Sequence, residues 1–170
     1  ITNSMRLYPD ILMYGEIRDL ASAQAAFRGG MTGHLVLTTL HTNNAVAALQ
    51  RLIDMGVDRH LVTDPALMTS VVNQSLLPVL CSHCRVPARE HLGQLNSALV
   101  QHLRDLEAID ETYLKGPGCP HCKGLGITGR TVVAETLLTD LEFMRVFNGQ
   151  GASAARRHWV KEMGGITKTA

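Results

Sequence analysis

Residues 9–19 read PDILMYGEIRD. The apolar run Ile11-Leu12-Met13-Tyr14 lies between a Pro9-Asp10 turn and Gly15, the pattern of a short strand buried on both faces. Gly15 then releases the chain into Glu16, Arg18 and Asp19. A carboxylate at Glu16 would stand at the carboxyl end of a buried parallel strand, the edge where open α/β sheets bind ligands. Read alone, the same residues also describe a solvated turn after a strand.

Working outward, residues 20–29 are alanine-rich and predict a helix closed by Gly29-Gly30. Leu35–Leu40 repeats the buried-strand pattern and ends at His41, and Thr42-Asn43-Asn44 supplies a helix cap. The helix from Ala45 to Met55 carries Val46, Leu49, Leu52 and Ile53 on one face and stops at Gly56. Asp64-Pro65 predicts a third helix over 65–76. Leucines 92, 95, 99, 103 and 106 predict an amphipathic helix over 92–108. A strand over 131–137 and helices over 140–148 and about 152–163 complete the chain. Alternation of strand and helix through 11–56 predicts an α/β fold with a largely parallel sheet, interrupted by a separate unit. The expected segments are 1–80, 81–129 and 130–170.

Composition narrows the function. The 170 residues are enough for one real core with a small appendage. A net charge of +1 and 4% aromatic residues give neither the field nor the stacking platforms that bind nucleic acid. No apolar run is long enough for a membrane span, and the start is no signal peptide. The chain opens on Ile1 and not Met, as expected of a piece of a longer protein.

The four cysteines form two Cys-x-x-Cys pairs, Cys81-Ser-His-Cys84 and Cys119-Pro-His-Cys122. Such a turn brings two sulfurs to one ion without strain, and two turns complete a closed four-thiolate site suited to structural zinc. Glycines 116, 118, 124 and 126 let the backbone fold closely around the sulfurs. The alternatives are a thiol-redox pair or four free core thiols. With four sulfurs satisfying the ion, His83 and His121 are bystanders.

Taken together, PDILMYGEIRD, TGHLVLTTLHTN, RLIDMGV and the paired cysteines followed by GRTVVAETL resemble the secretion ATPases of type II secretion and type IV pilus assembly. The motifs cover nearly the whole chain in the family's order. The resemblance implies a partial RecA-like ATPase domain with an inserted zinc subdomain, ATP and magnesium as ligands, and a homo-hexamer. It also implies a cytoplasmic protein held peripherally at the inner membrane through the platform protein of a pilus or secretion machine, with no specific nucleic acid. Carried over by position, Glu16 matches the Walker B catalytic glutamate, and His34 and His41 fall in the histidine box. Arg18 and Asp19 belong to the nucleotide-site motif without an assigned step. Cys81, Cys84, Cys119 and Cys122 match the metal ligands. Two departures stand out. Tyr8-Pro9-Asp10 replaces the family's Asp-Pro-Asp, and NQSLLPVL, with Ser75 and Pro78, lacks the usual arginines.

A phosphate-binding loop needs G-x-x-x-x-G-K-[ST]. The look-alike Gly164-Gly165-Ile166-Thr167-Lys168-Thr169 has Thr167 where the glycine before the lysine belongs. The loop is therefore expected about 60 residues upstream of Glu16 in a longer protein, and this stretch alone is expected to be inactive. A non-enzymatic zinc scaffold and a thiol oxidoreductase would explain the cysteines but leave the two strand-end motifs without a role.

Overall fold

A computed structural model describes residues 9–168. Tyr8 of the first departure and Thr169 of the phosphate-loop look-alike lie outside the described residues. The chain divides into two compact units, Ile1–Ser75 with Ala134–Ala170, and Leu76–Val133.

The first unit starts with strand β1 (Ile11–Glu16), helix α1 (Leu20–Met31) and strand β2 (Leu35–Thr39). β1 and β2 pair in parallel, with Ile11 opposite Leu35 and Glu16 opposite Thr39. Asp19 caps α1. The helix does not stop at Gly29-Gly30 but runs to Met31, because Gly29 serves packing: a Cβ there would meet Val36 Cγ2 at 3.0 Å and Leu12 Cδ1 at 3.3 Å. Its missing side chain lets α1 lie close on the inner face of the two strands.

Among the described residues only that face is covered. Met13 is 80% exposed, and Ile11, Leu35 and Leu37 are exposed with it, which corrects the expectation of strands buried on both sides. Among the described residues one layer of helix packs on a two-stranded sheet, so alternate side chains of each strand face outward.

Helix α2 (Ala45–Asp54) buries Val46, Leu49 and Leu52, as its spacing predicts. Short helix α3 (Arg59–Val62) follows. The predicted third helix over 65–76 is a correction. Asp64 Oδ1 accepts from Ala66 N–H and starts a single turn, after which the chain is strand β3 (Ser70–Leu80). Val71 and Val72 suit a pleated strand, and the hydrogen-bonding partner, β6 (Ile127–Leu138), lies far along the chain. Helices α5 (Leu141–Gln150) and α6 (Ala152–Glu162) pack together and contribute Phe143, Phe147, Ala155 and Trp159 to the same core as α2. The two long strands β3 and β6 run through both units, so the division falls inside them.

In the second unit, β4 (Val86–Pro87) and β5 (Tyr113–Leu114) pair antiparallel. The Arg85 guanidinium lies over the Tyr113 ring at 3.8 Å. The single helix predicted over 92–108 is instead a 3-10 segment, Ala88–Gln94, followed by α4 (Ser97–Asp105). Leu95 is extended, and Asn96 Oδ1 accepts from Ala98 N–H at 2.8 Å, so the asparagine starts a new helix where the leucine spacing alone continues the old one. No helix of the described residues is long and apolar enough to cross a membrane.

Candidate functional site

Parallel pairing brings the carboxyl ends of β1 and β2 side by side. The register shifts between Tyr14 and Glu16, Thr39 Oγ1 donates to the Gly15 carbonyl at 2.6 Å, and Ile17 N–H donates to the Thr39 carbonyl at 2.9 Å. This local bulge carries Glu16 to the rim. Its Oε2 accepts from Arg18 Nε at 2.6 Å, and its Oε1 lies 3.2 Å from His41 Nε2. The Arg18 hydrogen bond, helped by the charges of Arg18 and His41 against a desolvation that opposes them, holds the Glu16 carboxyl below the usual carboxylate range. Here Glu16 is an ionised acceptor suited to orienting a water or facing a hydrated cation. Taking a proton requires Arg18 to withdraw, because a depressed pKa makes a weak base.

Glu16, Arg18 and His41 thus come together, whereas Asp19 and His34 do not join them. Asp19 Oδ1 accepts from Ser22 N–H at 2.7 Å, and Ser22 Oγ accepts from Asp19 N–H at 3.1 Å, a reciprocal cap on α1. That Ser22 amide bond is the main reason its carboxyl also sits low. His34 Nδ1 lies 3.0 Å from Thr32 Oγ1 and 3.2 Å from the Gly29 carbonyl, at the opposite end of β2. The strand between them is roughly 16 Å long at a rise of about 3.3 Å per residue.

Two residues that sequence reasoning passed over support the turn after β2. Asn73 on β3 donates from Nδ2 to the Thr42 carbonyl at 2.8 Å and lies 3.2 Å from Thr42 Oγ1. Glu135 on β6, fully buried, accepts from the Ala45 N–H at 2.9 Å through Oε2. Its other oxygen receives Lys168 N–H at 3.2 Å and lies 3.6 Å from Arg156. One signal was available: Glu135 sits in period-two alternation with Leu137, a charge among inward-facing strand positions. For Asn73 there was none, since it fell in the middle of an expected helix.

The second site belongs to the other unit. The Sγ atoms of Cys81, Cys84, Cys119 and Cys122 all lie within 4.8 Å of one another. Three of the edges, Cys81–Cys119, Cys84–Cys122 and Cys119–Cys122, measure 3.8 Å each. A tetrahedral ion with bonds of about 2.3 Å to sulfur sets edges of about 3.8 Å, and a disulfide about 2.05 Å, so the arrangement fits a metal and no cross-link. Desolvation would raise the Cys122 thiol, but N–H donation from Cys119 at 3.2 Å and Gly126 at 3.1 Å brings it down to about 6. Burial, with the three neighbouring sulfurs, pushes Cys84 up to about 12. Gly116 is required here by contact, because any Cβ on it would collide with the Cys84 carbonyl. His83 and His121 stack on each other with centroids 4.0 Å apart and are not members of the four-sulfur group.

The family model described as type II/IV secretion system protein matches residues 1–168. The type IV pilus assembly ATPase TfpB of Acinetobacter baylyi is 40% identical over 148 residues, 86% of this chain and 24% of the relative. The type II secretion system ATPase E of Vibrio cholerae is 38% identical over 156 residues, 91% of this chain and 29% of the relative. The chain therefore spans about a quarter of the length of these curated relatives. Among solved structures, the pilus retraction motor PilT with bound ADP superposes with a TM-score of 0.57 at 19% identity, covering 98% of this chain and 40% of that one. That likeness is one of fold.

Proposed function

Because this chain belongs to the type II/IV secretion system protein family, we propose that it is the part of a MgATP-hydrolysing motor that carries the Walker B and histidine-box edge of the nucleotide site. The observation that supports this most directly is the meeting of Glu16 and His41 at 3.2 Å from the ends of two adjacent parallel strands. In this reading Glu16 orients the attacking water, and His41, one strand away, responds to the γ-phosphate and links its presence to movement of the subunit. Arg18 keeps Glu16 ionised until nucleotide binds. Magnesium, when bound with ATP, would supply neutralisation of phosphate charge near Glu16. The phosphate cradle comes from sequence upstream of this stretch, so these residues alone neither bind MgATP tightly nor turn it over.

Zinc is the ion the four thiolates suit best, and Cys81, Cys84, Cys119 and Cys122 would hold it as a closed structural cross-link with no position open for water. The full-length protein then acts as a homo-hexamer in the cytoplasm, docked on the inner-membrane platform protein of a pilus or type II secretion machine. A purely structural zinc scaffold gives no reason for the Glu16–His41 pair.

The test is Glu16→Gln in the full-length protein, which keeps the shape and removes the charge. ATP affinity should persist while steady-state turnover falls by roughly 10²-fold or more. Near-normal turnover with normal affinity would leave Glu16 a solvated turn residue.

A further inference from the structure

The His41 side chain is 88% exposed and meets Glu16 at 3.2 Å. Packing does not hold it in place, so its position is inherited from the backbone of the turn that follows. That turn is pinned on both flanks from strands distant in sequence: Asn73 holds the Thr42 carbonyl, and Glu135 holds the Ala45 N–H. We propose that Asn73 and Glu135 are positioning residues that keep His41 on Glu16 by clamping the turn between β2 and α2.

Two features say that the clamp is more than a helix cap. Helix α2 already has its own cap, since Asn44 Oδ1 accepts from Ala47 N–H at 2.8 Å. A fully buried carboxylate is an unfavourable way to satisfy one further amide unless that amide's placement matters. The positive end of α2, the Lys168 N–H and Arg156 offset the burial of Glu135. Asn73 makes the same point from the other strand. Its Oδ1 is buried with no hydrogen-bond partner among the described residues, a state an apolar residue would avoid. What the amide provides is the bond from Nδ2 to Thr42. The strands thus hold the turn at residues 42 and 45, leaving His41 little freedom to leave the strand end.

The inference rests on the nucleotide-site reading of Glu16 and His41 given above. It is tested in the full-length protein with MgATP by a double-mutant cycle that pairs Asn73→Leu and Glu135→Gln, each in turn, with His41→Ala. Asn73→Leu keeps the branched four-atom shape, with somewhat larger methyls, and removes the unpaired oxygen, so it should fold with only a small change in melting temperature and carries the test if Glu135→Gln does not fold. Each single variant should lower kcat by roughly 10- to 100-fold while KM stays within about threefold, the scale of a small misplacement of an acting group. In the His41→Ala background each should lower kcat by less than about threefold more, because the group being positioned is already gone. Unchanged kcat in Asn73→Leu overturns the proposal, as does a full multiplicative loss on top of His41→Ala, which would mark a general structural role. If His41→Ala alone leaves turnover intact, the nucleotide-site reading itself has failed, and that result is distinct from both.

Discussion

Removing metal should unfold residues 76–133 and leave the α/β unit standing. Among the described residues, the buried apolar positions of the second unit are Cys81, Ala88 and Cys122, two of which belong to the four-sulfur group. Helix α4 buries no residue at all. The first unit, in contrast, buries Leu49, Leu52, Phe143, Phe147 and Trp159 in one continuous core. At about 0.8 kcal/mol per buried methylene, and somewhat more for a whole side chain, three small side chains contribute on the order of a few kcal/mol. A structural zinc site in a small domain contributes about 10–16 kcal/mol of apparent binding free energy at neutral pH. With zinc bound as proposed, the metal term would be several times the apolar one, so metal should decide whether this unit is ordered. The assay is amide hydrogen exchange on protein with one zinc per chain, before and after a strong chelator, repeated on Cys119→Ser. Protection at Cys81–Arg85 and Cys119–Gly126 should fall by orders of magnitude, and protection in α2 should stay within a few-fold. Equal protection in the second unit with and without metal would refute the reasoning, as would collapse of α2 along with it.

Arg18→Ala removes the main cause of the low Glu16 pKa. A depressed carboxyl adds stability at pH above its unfolded value and loses it as pH falls through the folded one, so the variant should give up a small increment of stability at neutral pH and lose less than the parent on acidification. The acid limb of its pH–turnover profile, measured in the full-length protein, should move to higher pH. Gly29→Val places a side chain where a Cβ already meets Val36 and Leu12, and should destabilise the first unit by about 1–3 kcal/mol in urea unfolding. Asp140→Ala removes the bond that Asp140 Oδ1 accepts from Phe143 N–H at 2.7 Å, and should lower stability by about 1 kcal/mol, read as a small drop in melting temperature.

Much of the first unit was legible because its signals are local. β1, α1, β2 and α2 follow from apolar runs, an alanine-rich stretch, one amphipathic spacing and turn residues, all within a few positions of one another. The misses came where a distant partner outweighed local preference. Residues 65–76 carry a good helix start at Asp64-Pro65, yet from Ser70 onward the pairing of β3 with β6 makes a strand. The long helix over 92–108 breaks because Asn96 competes for the backbone, which leucine spacing does not register.

The sequence by itself determined the order of strands and helices around Glu16, the two cysteine turns, and the family, because short-range spacing and residue type carry that information. Only the tertiary structure decided that Glu16 meets Arg18 and His41 while His34 stands at the far end of β2. It alone decided that four sulfurs lie at the edges of one tetrahedron, and that Asn73 and Glu135 close on the same turn from 31 and 90 residues away. Each of these is a distance between side chains on different elements, set by strand register and by packing of helix on sheet, and no local pattern in the chain encodes such a distance.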